Sequence, residues 1–178
     1  MDNTVTGAQL LVDGYDRIRQ VVEETVTGLS PAQLAFAPEP GSNSIGWLVW
    51  HLTRIQDDHV ADVAGAEQVW TAGGWYEEFA LPFDSSETGY GQRPEQVNAV
   101  RPRSAQMLID YHQAVFERSR QFLAGLSEFD LARVVDDSWD PPVTLGVRLV
   151  SVLSDDLQHA GQAAYLKGLL SRTSGLTA

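Results

Sequence analysis

The sequence predicts an all-α fold, a four-helix bundle with a long irregular connection between helices two and three. Three observations carry this. Four segments repeat apolar residues at spacings of three and four, the pattern of amphipathic helices. The periodicity lapses over about residues 73–103. No run of alternating residues announces a sheet, and Ala132 to Asp136 offers one short strand at most. The 178 residues suit a single helical domain spanning 1–178.

The first helix follows from Ala8, Leu11, Tyr15, Ile18, Val22, Val26 and Leu29, one apolar stripe. Gly28 and Ser30-Pro31 end it, and Pro31 restarts a short turn to Ala35. Pro38-Glu39-Pro40-Gly41 is a firm breaker. Asn43 or Ser44 can cap the second helix, through Ile45, Leu48, Leu52 and Ile55 to about Ala64. The segment that follows is rich in Gly and Pro but carries Trp75, Tyr76, Phe79, Phe83 and Tyr90. An unpatterned stretch of that length is unusual in a compact domain. Its aromatics point to a lid or pocket wall; the alternative is a surface excursion pinned by aromatics. Ser104 caps the third helix, with Leu108, Tyr111, Val115, Phe122 and Leu126 inward. Thr144 opens the fourth after Pro141-Pro142; its inward residues are Leu145, Leu149, Val152, Leu153, Ala160, Ala163 and Ala164, and Gly168 suits its C-terminal cap.

The net charge of −12 repels phosphate backbones and anionic lipid, arguing against nucleic-acid and membrane-surface partners. There is no cysteine, so disulfides, thiolate ligands and a cysteine nucleophile are excluded. Any thiol chemistry uses a thiol supplied from outside. The opening Met1-Asp2-Asn3-Thr4 lacks a basic patch followed by an apolar run, so no signal peptide is expected. No stretch approaches the roughly 18 apolar residues of a bilayer span. The expected compartment is the cytoplasm. Eleven of the 12 basic residues are Arg, the exception being Lys167, a bias suited to a GC-rich genome.

A transition-metal site in this chain must draw on four histidines (His51, His59, His112, His159) and carboxylates. Asp155 and His159 stand at i, i+4, separated by about 40° around a helix axis and one turn along it, so both can reach one ion. Gln162 continues that face. Asp156, at i, i+3 to His159, points nearer the centre of the apolar stripe, where a carboxylate is costly unless partnered or ligating. A third ligand must come from another helix. Helical phase puts His59 near the centre of the second helix's stripe and His51 on its flank, so periodicity leans towards His59. His59 and His112 also read as core-edge histidines bonded to a neighbour.

Trp47-Leu48-Val49-Trp50-His51-Leu52, after a Ser-Asn-Ser-Ile-Gly lead-in, resembles the histidine-bearing second helix of DinB-like (YfiT-like) proteins. Asp155-Asp156-Leu157-Gln158-His159-Ala160-Gly161-Gln162 is similar to that family's His-x-x-x-His-x-Gly-Gln signature. The resemblance covers essentially the whole chain. It implies a bundle, often homodimeric, holding a divalent ion, zinc or nickel, on His51, Asp155 and His159. Most relatives have histidine where this chain has Asp155; the related mycothiol-dependent maleylpyruvate isomerases carry Glu there. Carboxylate is a competent ligand for such ions.

Three protein ligands leave an open position, the arrangement of a catalytic site. The resemblance implies a thiol S-transferase or isomerase that uses a low-molecular-weight thiol such as mycothiol on small electrophiles. The Arg bias suits an actinobacterial source. Trp47, Trp50, Trp75 and Tyr76 are the candidate pocket walls, with plain packing as the alternative for each. Two other readings stand beside this one: a non-catalytic dimeric interaction module with a vestigial site, and a metal-assisted hydrolase in which Asp58 acts as base.

Overall fold

The computed structural model describes residues 5–173; Met1–Thr4, read above for a signal peptide, and residues 174–178 lie outside the described residues. Helix α1 (Gly7–Val26) opens on a capping box between Thr6 and Gln9 and buries Ala8, Leu11, Tyr15, Ile18, Val22 and Val26. Leu29 lies past its end. A single turn, α2 (Pro31–Leu34), leads to α3 (Ile45–Ala64), where the Ser44 hydroxyl accepts from the Trp47 amide and Gly65, with φ 62°, terminates the helix.

The connection that follows is not wholly irregular. It holds three short helices, α4 (Val69–Ala72), α5 (Trp75–Phe79) and α6 (Pro94–Ala99), each too short for periodicity to betray it. Next come α7 (Ala105–Ala124), capped by Ser104, and the turn α8 (Glu128–Leu131). Strand β1 (Val134–Asp136) pairs antiparallel with β2 (Val143–Thr144), a strand the sequence does not announce. Helix α9 (Leu145–Thr173) runs straight through Gly168. The expected cap there is therefore corrected: Leu166, Leu169 and Leu170 pack on the core, and their burial outweighs the roughly 1 kcal/mol that glycine costs a helix.

Cross-helix contacts fix the topology. The Tyr15 hydroxyl donates to the Leu149 carbonyl and the Lys167 ammonium to that of Glu24, so α1 and α9 run parallel. Thr53 meets His112 and Gln56 donates to Ser119, so α3 and α7 are parallel too. His59 meets Arg148 while His51 meets His159, which sets α3 antiparallel to α9. In the bundle α7 and α9 each pack against both α1 and α3. Two parallel neighbours consecutive in the chain require a return along the bundle, about 30 Å for a 20-residue helix. The long connection between α3 and α7 is that crossover.

The crossover lies over α3, which is buried without interruption from Ser44 to Asp57. Helical phase has nothing to discriminate on such a helix, because every side faces protein. Among the described residues no helix is long and apolar enough to cross a membrane.

Candidate metal centre

Two buried charges on α3 grip the crossover. The Asp57 carboxylate accepts from the Val69 and Trp70 amides at 2.8 and 2.7 Å and from the Tyr111 hydroxyl at 3.0 Å. Arg54, fully buried, donates to the Gln68 side chain and to the carbonyls of Ser85 and Glu87, and its guanidinium lies over the Trp70 ring. Burial raises the Asp57 pKa, opposed by these hydrogen bonds and by Arg54. Each charge is thus satisfied by the segment it holds.

One residue beyond Glu87 the crossover meets His51. The Thr88 carbonyl lies 2.6 Å from His51 Nδ1. A carbonyl only accepts, so Nδ1 carries the proton and Nε2 keeps its lone pair. Gly89, at φ +101°, lets the backbone come this close; a Cβ there would stand 2.6 Å from His51 Nδ1. Trp47 stacks on His51 with ring centroids 4.5 Å apart, and its Nε1 donates to the Gln92 side chain at 3.0 Å. Burial lowers the His51 pKa, so the ring is neutral near pH 7.

From α9, His159 and Asp155 complete the group. His159 Nδ1 lies 3.0 Å from Gln162 Oε1, and its Nε2 lies 3.7 Å from Asp155 Oδ1. Among the described residues one ligating atom from each of His51, Asp155 and His159 falls within 4.8 Å of the others. Ligands about 2.0–2.2 Å from a shared zinc stand no more than about 4.4 Å apart, so a small contraction suffices. Asp155 Oδ2 is buried with no hydrogen-bond partner. Two imidazoles oriented through Nδ1, with an unsatisfied carboxylate oxygen beside them, fit a divalent ion.

Several sequence candidates lie elsewhere. His59 is the correction to the phase argument: it is only half-buried and meets Arg148, while His51 is 5% exposed. Asp156 shares no site with the three; it is wholly buried in the apolar stripe, neither oxygen has a partner, and burial pushes its pKa well up. Asp58 accepts from Gln68 at the root of the crossover. His112 is buried beneath Thr53.

Of the expected pocket walls only Trp47 touches the site. Trp50 packs in the core on Trp70 and Phe83, and Trp75 and Tyr76 join the cluster around Trp70 and Tyr111. The cleft that does reach Asp155, about 380 Å³, is walled by Ile55, Tyr90, Trp139, Val143 and Val147, with Arg148 beside them. Sequence reasoning missed Arg148, Trp139, Thr88 and Gln92. Arg148 stands two turns before Asp155 on the same face of α9, so helical phase could have found it; the crossover and the β1–β2 turn bring in the other three, which carry no spacing signal.

The model of the family described as Mycothiol-S-transferase matches residues 10–171. The chain belongs to the mycothiol S-transferase family. A solved structure, of a conserved protein of locus from Enterococcus faecalis, is similar at 32% identity and a TM-score of 0.86, over 92% of this chain and 96% of that one. No curated protein matches. The chain has no cysteine, so any thiol at this centre comes from another molecule.

Proposed function

We propose that this mycothiol S-transferase is a divalent-metal-dependent enzyme that joins mycothiol to small electrophiles, its ion (zinc or nickel) held by His51, Asp155 and His159. The observation that carries the reading is the convergence of these three side chains, with both imidazoles fixed through Nδ1, in a chain of this family. Bound there, a divalent cation would lower the pKa of a coordinated thiol and so supply a nucleophile at neutral pH. The chain's own groups do the rest. Thr88 and Gln162 keep each Nε2 free of a proton, and Trp47 covers the His51 ring. Sulfur forms a bond to the electrophilic carbon, the leaving group departs with its electron pair, and the thiol proton passes to solvent.

The setting of this reading is a cytoplasm that keeps mycothiol reduced. The proposed assembly is a homodimer, a reading supported by Val150 and Leu157, which stand outward seven residues apart on one face of α9 at 55% and 58% exposure. The test of function is mycothiol-dependent consumption of 1-chloro-2,4-dinitrobenzene by metal-loaded protein. A rate above the uncatalysed reaction that vanishes on chelation is expected; no enhancement with any added divalent ion would overturn the reading.

A further inference from the structure

A two-substrate transfer needs two approaches to one centre, and the two helices that form the centre place a cleft on each side of it. Along α3, Leu48 lines one cleft, His51 follows, and Ile55 and His59 line the other. Along antiparallel α9 the order repeats in reverse: Arg148, Ser151 and Val152 line the second cleft, Asp155 and His159 follow, then Gln162 and Tyr165 line the first. Each cleft reaches the centre through one side chain. Asp155 lies in the wall of the 380 Å³ cleft. Gln162, which accepts from His159 Nδ1, lies in the wall of the opposite cleft of about 340 Å³.

Their chemistries differ. The cleft at Asp155 has aliphatic walls and two outward aromatic rings, Tyr90 at 88% and Trp139 at 66% exposure. Arg148, paired with Asp136 at 2.9 Å, puts a cation at its edge. Such a surface suits a flat apolar body that carries an electron-rich oxygen substituent. The cleft at Gln162 holds no charged side chain among its lining residues. It offers Ser42, Asn43, Gln162 and Tyr165 over Pro38 and Leu48. Uncharged amides and hydroxyls can partner many hydroxyl groups, which an apolar cleft would leave desolvated and unpaired.

The geometry points to a division of substrates: the Asp155 cleft takes an aromatic electrophile, and the Gln162 cleft takes the polyhydroxylated body of the thiol cosubstrate, so that sulfur and carbon meet at His51, Asp155 and His159. This rests on the transferase reading above. With 1-chloro-2,4-dinitrobenzene the S–C bond forms, the C–Cl bond breaks, chloride leaves with the electron pair, and the thiol proton goes to solvent.

The test compares Trp139→Ala with the double variant Asn43→Ala, Tyr165→Ala, whose altered side chains lie outside the core. Trp139→Ala raises KM for 1-chloro-2,4-dinitrobenzene about fivefold or more and leaves KM for mycothiol unchanged. The double variant does the reverse by a similar factor. A second readout needs no turnover: saturation-transfer NMR on metal-free protein, with unreactive 1,3-dinitrobenzene and the thiol-free glucosaminyl-inositol fragment as probes. Each probe's Kd weakens only in the variant of its own cleft. Both variants moving the same constant, neither moving any, or wild-type protein binding neither probe would overturn the division. If wild-type protein binds both probes separately yet shows no transfer, the transferase reading fails and the clefts stand.

Discussion

His51 Nδ1 and the carbonyl oxygen of Thr88 lie 2.6 Å apart, 37 positions along the chain from one another. The contact makes the crossover part of the candidate centre, since it fixes which nitrogen of His51 faces an ion. Arg54 and Asp57, one and two turns further along α3, hold the two ends of the segment that delivers that carbonyl. Affinity for metal should therefore respond to changes in the crossover that touch no ligand.

Gly89→Ala tests this. The position has φ +101°, and the new Cβ would meet His51 Nδ1 at 2.6 Å. We expect a loss of about 1–3 kcal/mol in stability and a roughly tenfold or greater loss in zinc affinity, read by urea denaturation and by metal titration. Unchanged affinity would show that the Thr88 contact does not orient the ring.

His51→Ala should abolish tight metal binding, while His59→Ala should leave it within about threefold, because His59 meets Arg148 and not the three converging atoms. Isothermal titration with zinc or nickel separates the two. Loss of binding on His59→Ala alone would move the site.

The bundle was legible because α1, α7 and α9 each turn one side to solvent and the other to the core, so their apolar stripes keep a 3.6-residue period. The crossover was legible only as an absence of period. Its function follows from α3 and α7 running parallel, a property of packing that no local pattern encodes. The same packing made periodicity a poor guide on α3, where it favoured His59 over His51. The family motif pointed to His51 from its sequence context. The pairing of Asp155 with His159 follows from i, i+4 spacing, and Arg148, seven residues before Asp155, shares their face of α9; Trp139 was not accessible in this way, since only the fold brings it beside Asp155.

Asp156 is buried without a partner for either oxygen, and burial raises its pKa well above the usual carboxylate range. A raised carboxyl pKa makes stability fall as pH rises above the unfolded value near 3.8. Asp156→Asn removes the ionisation at constant shape. It should raise the urea midpoint at pH 7 and flatten the decline of stability with rising pH, with zinc affinity unchanged. Lost zinc binding in this variant would place Asp156 among the ligands instead.

His112 carries the opposite dependence. Burial lowers its pKa from 6.5 to about 3, and its Nδ1 is paired with Thr53. The folded state binds fewer protons than the unfolded one between those values. Its contribution is thus fully present above pH 6.5 and is lost as pH falls towards 3, by up to about 1.4 kcal/mol per pH unit. Comparing metal-free wild-type protein with His112→Asn by urea denaturation at pH 7 and pH 5 checks this; the variant should lose less stability over that interval. Equal losses in the two proteins would mean that His112 is not held neutral.

The central claim is that His51, Asp155 and His159 hold one ion. The most direct measurement is metal content after zinc or nickel loading and gel filtration, for wild-type protein beside Asp155→Ala and His159→Ala, with helicity followed by circular dichroism. About one ion per wild-type chain is expected, none tightly held in either variant, and unchanged helicity in all three, because the apolar core and not the ion holds the bundle together. A wild-type chain that stays metal-free in excess zinc and nickel, or an Asp155→Ala variant that binds as tightly as wild type, would contradict it.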